Sequence, residues 1–182
     1  LSEEGSEDRV LLPRKEVPKD AAIGDSLMVF LYKDSRDRLI ATTREPAMVL
    51  GGIALLRVKE ISRIGAFLDW GLEKDLLLPF REQTRKVRAD EECLVALYID
   101  KSDRLCATMN VYPYLKKNSP YRIGDAVQGR IYETSDNFGV FVAVDDQYSA
   151  LIPKREAAGT FHIGEVVQAR VTDVKEDGKL DL

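Results

Sequence analysis

Arg81, Arg85, Lys86 and Arg88 form the densest run of cationic side chains in the chain. Guanidinium and ammonium groups so spaced can hold the phosphates of a nucleic-acid backbone, and a solvated loop face is the plainer reading of the same residues. His162 is the only histidine. It stands before Gly164 with no Cys, Asp or Ser constellation around it, so neither a metal site nor a nucleophile–base pair is expected there. Cys93 and Cys106 are the only two cysteines, and with no partner ligands nearby they read as free thiols rather than a disulfide. The chain has no glycine-rich phosphate cradle and no paired-carboxylate signature. These residues point to binding rather than catalysis, with no metal and no cofactor.

The chain carries 27 basic and 31 acidic residues, for a net charge of −4. The two signs are interspersed, which excludes a general electrostatic footprint for nucleic acid but leaves room for one local basic or aromatic face. No apolar run approaches the ~18 residues of a membrane span, and no signal-peptide pattern follows Leu1. A cytoplasmic protein with no membrane partner is the expectation.

These side chains must be positioned by repeated small units. Val29-Phe30-Leu31-Tyr32-Lys33-Asp34-Ser35-Arg36-Asp37-Arg38-Leu39 returns, altered, as Val95-Ala96-Leu97-Tyr98-Ile99-Asp100-Lys101-Ser102-Asp103-Arg104-Leu105, an offset of 66. Nine of sixteen positions are identical between 27–42 and 93–108, and Leu11-Leu12-Pro13 recurs at the same offset as Leu77-Leu78-Pro79. A repeat of this length makes the chain an array, and the fold question becomes one about a single unit. In residues 114–182 the alternation of apolar and polar residues, with turn signals at Asp145-Asp146 and Glu176-Asp177-Gly178, predicts strands at 126–133, 138–144, 149–153, 166–174 and 179–182. Residues 154–159 are helix-compatible. Residues 48–113 repeat the layout, with strands at 53–61, 64–70, 76–79, 93–99 and 104–109. Residues 1–47 hold only the last part of a unit, with strands at 10–13, 27–33 and 38–43. The expected fold is therefore all-β, in tandem five-stranded barrels of which the first is incomplete. A barrel lacking two strands leaves open edges and an uncovered core, so the intact protein is expected to extend further towards the N-terminus.

Gly124-Asp125-Ala126-Val127-Gln128-Gly129-Arg130-Ile131, Phe138-Gly139-Val140-Phe141-Val142, Leu151-Ile152-Pro153 and Gly164-Glu165-Val166-Val167 follow one another in an order and spacing that resembles the S1 RNA-binding domain, an OB-fold barrel. The second unit is a weaker match and the first a half match. Tandem units with Leu-Tyr-x-Asp-x-x-Asp-Arg-Leu are similar to the bacterial CvfB/YitL-type group, RNA-associated regulators and virulence factors with S1 repeats followed by a winged helix. No winged-helix segment is visible here.

The resemblance implies single-stranded RNA as partner, bound by stacking of unpaired bases on aromatic side chains and by basic residues on phosphates, with RNA-processing proteins as further partners. It puts Phe138 and Phe141 at the family's stacking positions. Strict alternation would send residues 138 and 141 to opposite faces, so a bend or bulge at Gly139 is needed to turn both outward. Arg130, Lys154 and Lys179 would join them as contacts of the third unit. In the second unit Ile64 replaces the first aromatic, which leaves Phe67 and Trp70, and Arg81, Arg85, Lys86 and Arg104 are its candidate contacts. Asp34/Arg38 and Asp100/Arg104 match the family's pair around the last hairpin, and a salt bridge that fixes the turn reads them equally well. Where the family often has His after the third strand, this chain has Pro13, Pro79 and Pro153. A protein-docking or spacer role for some barrels, or the RNA-feeding part of a ribonuclease, are the alternative functions.

Overall fold

The computed structural model describes residues 1–2 and 9–182. Its strands follow the alternation of the sequence closely. The first unit contributes the hairpin β1 (Phe30–Lys33) and β2 (Leu39–Thr42). The second contributes β3 (Ile53–Ile61), β4 (Gly65–Asp69), β5 (Leu76–Pro79), β6 (Glu92–Ile99) and β7 (Leu105–Thr108). The third contributes β8 (Ala126–Ser135), β9 (Gly139–Val144), β10 (Tyr148–Pro153), β11 (Val166–Arg170), β12 (Asp173–Val174) and β13 (Leu180–Asp181).

Both complete sheets curl into barrels. In the second unit the order is β5-β4-β3-β6-β7, and β7 lies back against β5. In the third the order is β11-β8-β9-β10-β13-β12, and β10 closes on β13 in parallel, with Leu182 donating its N–H to the Leu151 carbonyl at 2.9 Å. β11 and β12 are two pieces of one expected strand. The first unit keeps the same closure in miniature: Leu11 bridges Ile40 in parallel, and the Ala41 N–H reaches the Leu11 carbonyl at 2.8 Å. The first strand of each barrel bulges at the same place, between Val58 and Glu60 and between Ile131 and Glu133. A bulge bends the strand and sharpens its twist, which lets a small sheet close.

Residues 154–159 form turns rather than the expected helical segment. Pro153 ends β10 and the backbone N–H groups of Glu156 and Ala157 both return to the Pro153 carbonyl. In the second unit a single 3₁₀ turn, Phe80–Glu82, stands in that place.

The half unit does not stand alone. Tyr32 and Ile40 are buried in one cluster with Trp70, Leu76, Leu97 and Met109 of the second barrel. Phe30 meets Trp70 edge-on at 5.8 Å between ring centroids, and Lys74 Nζ donates to the carbonyls of Lys33 and Asp34, each at 2.9 Å. Part of the half unit's apolar surface stays open all the same: Leu11, Ile23, Met28, Leu31 and Leu39 are exposed. The second and third barrels share a further cluster, in which Leu94, Ala96, Val111 and Leu115 pack on Tyr132 and Ala143.

Candidate nucleic-acid interface

The outer face of the third barrel is set by β9. Alternation sends Val140, Val142 and Val144 into the barrel core. Phe141 and Ala143 point out, where Ala143 is sealed by the second unit and Phe141 is half-covered. Phe138 precedes the strand. It reaches the same side because the chain turns at Gly139, whose φ is +121°. A Cβ there would sit 2.1 Å from the Ile152 carbonyl oxygen, so only glycine fits. Phe138 is 64% exposed, and its ring centroid lies 6.4 Å from that of Phe141 in an edge-on arrangement.

Three further side chains complete this face. Lys154 is exposed, and its backbone N–H donates to the Phe138 carbonyl at 3.0 Å, which ties the two residues together at the strand ends. Tyr112, 42% exposed, brings a third ring to within 6.3 Å of Phe141. Lys179 holds its ammonium 5.7 Å from the centre of the Tyr112 ring, a cation–π distance. Its charged form is favoured by hydrogen bonding to Asp177, then to Tyr112. Phe138, Phe141 and Tyr112 thus follow one another on this face, with the Lys179 ammonium over the last ring. Beneath it Tyr132 is buried against Phe141 at 6.1 Å, and burial pushes its phenol pKa well up.

The other candidates are placed differently. Arg130 pairs with Asp146 at 2.9 Å and donates to the Gly164 carbonyl, with its side chain 18% exposed. Arg85 pairs with Glu91 and is similarly withdrawn. Both line a small cleft between the second and third barrels, together with Cys93, Leu94 and Ile163. Their guanidinium groups therefore belong to the junction and are not presented as surface phosphate contacts. Arg81 and Lys86 are exposed, with Arg81 Nε 3.5 Å from Glu82. Arg104 pairs not with Asp100 but with Asp37 of the first unit, at 3.0 Å. The Asp100 carboxylate instead accepts the backbone N–H groups of Ser102 and Arg104. In the first hairpin the salt bridge does form: Arg38 grips Asp34 at 2.6 and 2.9 Å, and these bonds hold the Asp34 carboxyl down at about 2.

In the second barrel Phe67 is half-buried on the outer face, and Ile64 and Phe80 are exposed. Trp70 is not part of that face; it is buried in the core, donating its indole N–H to the Lys74 carbonyl at 2.7 Å. Tyr112 and Phe80 were not among the residues singled out by sequence. Phe80 stands one residue after the Leu-Leu-Leu-Pro strand, 74 positions before Lys154, and that register is a usable signal. Tyr112 lies in the connecting segment, outside any strand pattern. Among the described residues no group of His, Cys, Asp or Glu is arranged to hold a metal ion. Cys93 and Cys106 are free and buried.

The model of the S1 domain matches residues 1–44 and 50–110, more than half of the chain. The chain belongs to the S1-domain family. Both matches fall on the first two units, where the repeated hairpin lies, and not on the third. Among curated relatives, this S1 chain is 28% identical to YitL of Bacillus subtilis over 97% of its own length and 62% of that protein. It is 23% identical to Conserved virulence factor B of Staphylococcus epidermidis, over 96% of its length and 62% of that protein. The S1 barrels also superpose on the crystal structure of a multidomain protein with nucleic acid binding domains from Streptococcus pneumoniae, with a TM-score of 0.58, 20% identity, and coverage of 92% of this chain and 62% of that one. This S1 chain therefore spans about three-fifths of the length of the relatives it matches. No helix among the described residues is long and apolar enough to cross a membrane.

Proposed function

We propose that the chain binds single-stranded RNA, with weak sequence preference, and that the third barrel is the principal contact. The observation that carries this is Phe138: a large aromatic ring held 64% exposed at a glycine-only bend, beside a second ring and an exposed lysine. An unpaired base has a free π-face that such a ring covers, whereas a base inside a duplex does not. Membership of the S1 family and likeness to a protein described as carrying nucleic acid binding domains support the same reading. Lys154 and Lys179 would meet phosphates on either side of the rings. The larger protein would act as a cytoplasmic post-transcriptional regulator that binds RNA without cleaving it.

The second barrel has a different emphasis. Its Arg85 faces the junction, Arg104 is tied to Asp37 and Trp70 is in the core. These placements favour a mainly scaffolding role, with Arg81 and Lys86 adding weak phosphate contacts. A labelled oligouridylate titrated at ~50 and ~200 mM salt tests the proposal. The third barrel's two lysine–phosphate contacts alone predict a slope of about −1.4 in log K against log salt, at about −0.7 per phosphate of a single strand, and contacts from Arg81 and Lys86 steepen it. A flat response, or tighter binding to a duplex of the same length, would count against it.

A further inference from the structure

Tyr112 stands outside both barrels, in the 3₁₀ turn Tyr112–Tyr114 of the segment that joins them. We infer that this tyrosine is the third stacking residue of the third barrel's site, and that Lys179 over its ring is the phosphate contact that accompanies it. The inference rests on the reading of that barrel as an RNA-binding unit, and adds to it where the bound strand runs. The three rings are spaced at 6.4 and 6.3 Å and meet edge-on rather than stacked face to face, so they are not paired with one another as parallel plates. Tyr112 remains 42% exposed although the residues around it are fixed. Val111 and Leu115, on either side of the turn, are buried in the cluster that joins the two barrels. The Val111 carbonyl accepts the Tyr114 N–H at 2.9 Å.

The ring is also tied to the far end of the third barrel. The hairpin that carries Lys179 turns at Gly178, where a Cβ would meet the Lys117 carbonyl at 2.3 Å. The connecting segment and the last hairpin are thus packed together, and Lys179 is held between Asp177 and Tyr112. By the 66-residue offset of the repeat, the residue before the second barrel that corresponds to Tyr112 is Pro46, so the second barrel has no equivalent ring. A strand on the row Phe138, Phe141, Tyr112 ends at the junction, and the site is complete only when the third barrel and the connecting segment are docked as seen here.

The test is a titration of the full chain with a fluorescein-labelled oligouridylate, comparing wild type with Tyr112→Ala, Tyr112→Leu, Tyr112→Phe and Phe138→Ala. Thermal melts of each variant show whether it folds. Tyr112→Phe should bind within about twofold of wild type. Tyr112→Ala and Tyr112→Leu should weaken binding by about 5- to 150-fold, the range spanned by one stacked base. A Tyr112→Leu protein that binds like wild type while Phe138→Ala does not would overturn the role of Tyr112 and leave the third-barrel site standing. Failure of wild type itself to bind would overturn both. If Tyr112→Leu melts early, photo-crosslinking of a 4-thiouridine oligonucleotide to the wild-type chain decides: a cross-link in the Tyr112 peptide supports the inference, and its absence beside one at Phe138 refutes it.

Discussion

Gly139→Ala is expected to destabilise the third barrel by about 1–3 kcal/mol more than Gly159→Ala does. The two glycines share nearly the same backbone angle, φ +121° and +122°, but only Gly139 is enclosed. The strain of placing an L-residue there, about 1–3 kcal/mol, is of similar size at both. So is the roughly 0.4–1 kcal/mol by which alanine restricts the unfolded chain. These contributions largely cancel in the comparison. What remains is the methyl group, which at Gly139 would lie 2.1 Å from the Ile152 oxygen and 2.7 Å from the Lys154 nitrogen, both backbone atoms. They cannot yield without pulling β9 from β10 where Gly139 pairs with Pro153, and overpacking of that kind costs about 1–3 kcal/mol. Urea denaturation followed by far-UV circular dichroism reads the difference. Trp70, the only tryptophan and in the second barrel's core, reports separately on that barrel and should be little changed. Equal stabilities for the two variants would refute the enclosure of Gly139 and, with it, the account of how Phe138 is turned outward.

Asp34 should titrate at about 2 in the folded chain, against an ordinary value of 3.8, because Arg38 bonds its carboxylate through side chain and backbone. Its pKa is lowered by folding, so its contribution to stability is complete above pH ~4 and is lost as the pH falls towards 2. A carboxyl NMR titration with a midpoint near 3.8 would contradict the hairpin bridge. Cys93 and Cys106 should resist thiol reagents in the native protein and react in urea, since burial pushes both thiols up to about 11. Their pKa values are raised from 9.0, so stability should hold below pH ~9 and decline as the pH rises towards 11.

Strands such as Ile53–Ile61 and Leu76–Pro79 were legible residue for residue. There short runs rich in β-formers sit in the layout that the third unit repeats, with Gly52 before the first and Pro79 closing the second. The Phe138-Gly139-Val140-Phe141 step was legible too, because alternation fails there unless the glycine bends the chain. The junction was not. Arg85 and Arg130 are 45 residues apart in sequence, and their retreat into one cleft follows from how two barrels dock, which no local pattern encodes. Arg104 shows the same limit: its spacing from Asp100 fits a hairpin bridge, yet Asp37 of the neighbouring unit holds its guanidinium. Tyr112 was hidden because a connecting segment has no periodicity to say which way a ring points.

Binding of oligouridylate by Phe138→Ala, set beside wild type and Phe138→Tyr, shows whether an unpaired base stacks on the third barrel. Phe138 is 64% exposed, so truncation removes little packing, and the cost to folding should stay below about 1 kcal/mol, a third of full burial. Phe141 is a poorer probe because it also packs into the junction. Phe138→Ala should melt close to wild type and bind about 5- to 150-fold more weakly, while Phe138→Tyr binds like wild type. Undiminished binding by a folded Phe138→Ala protein would contradict that stacking.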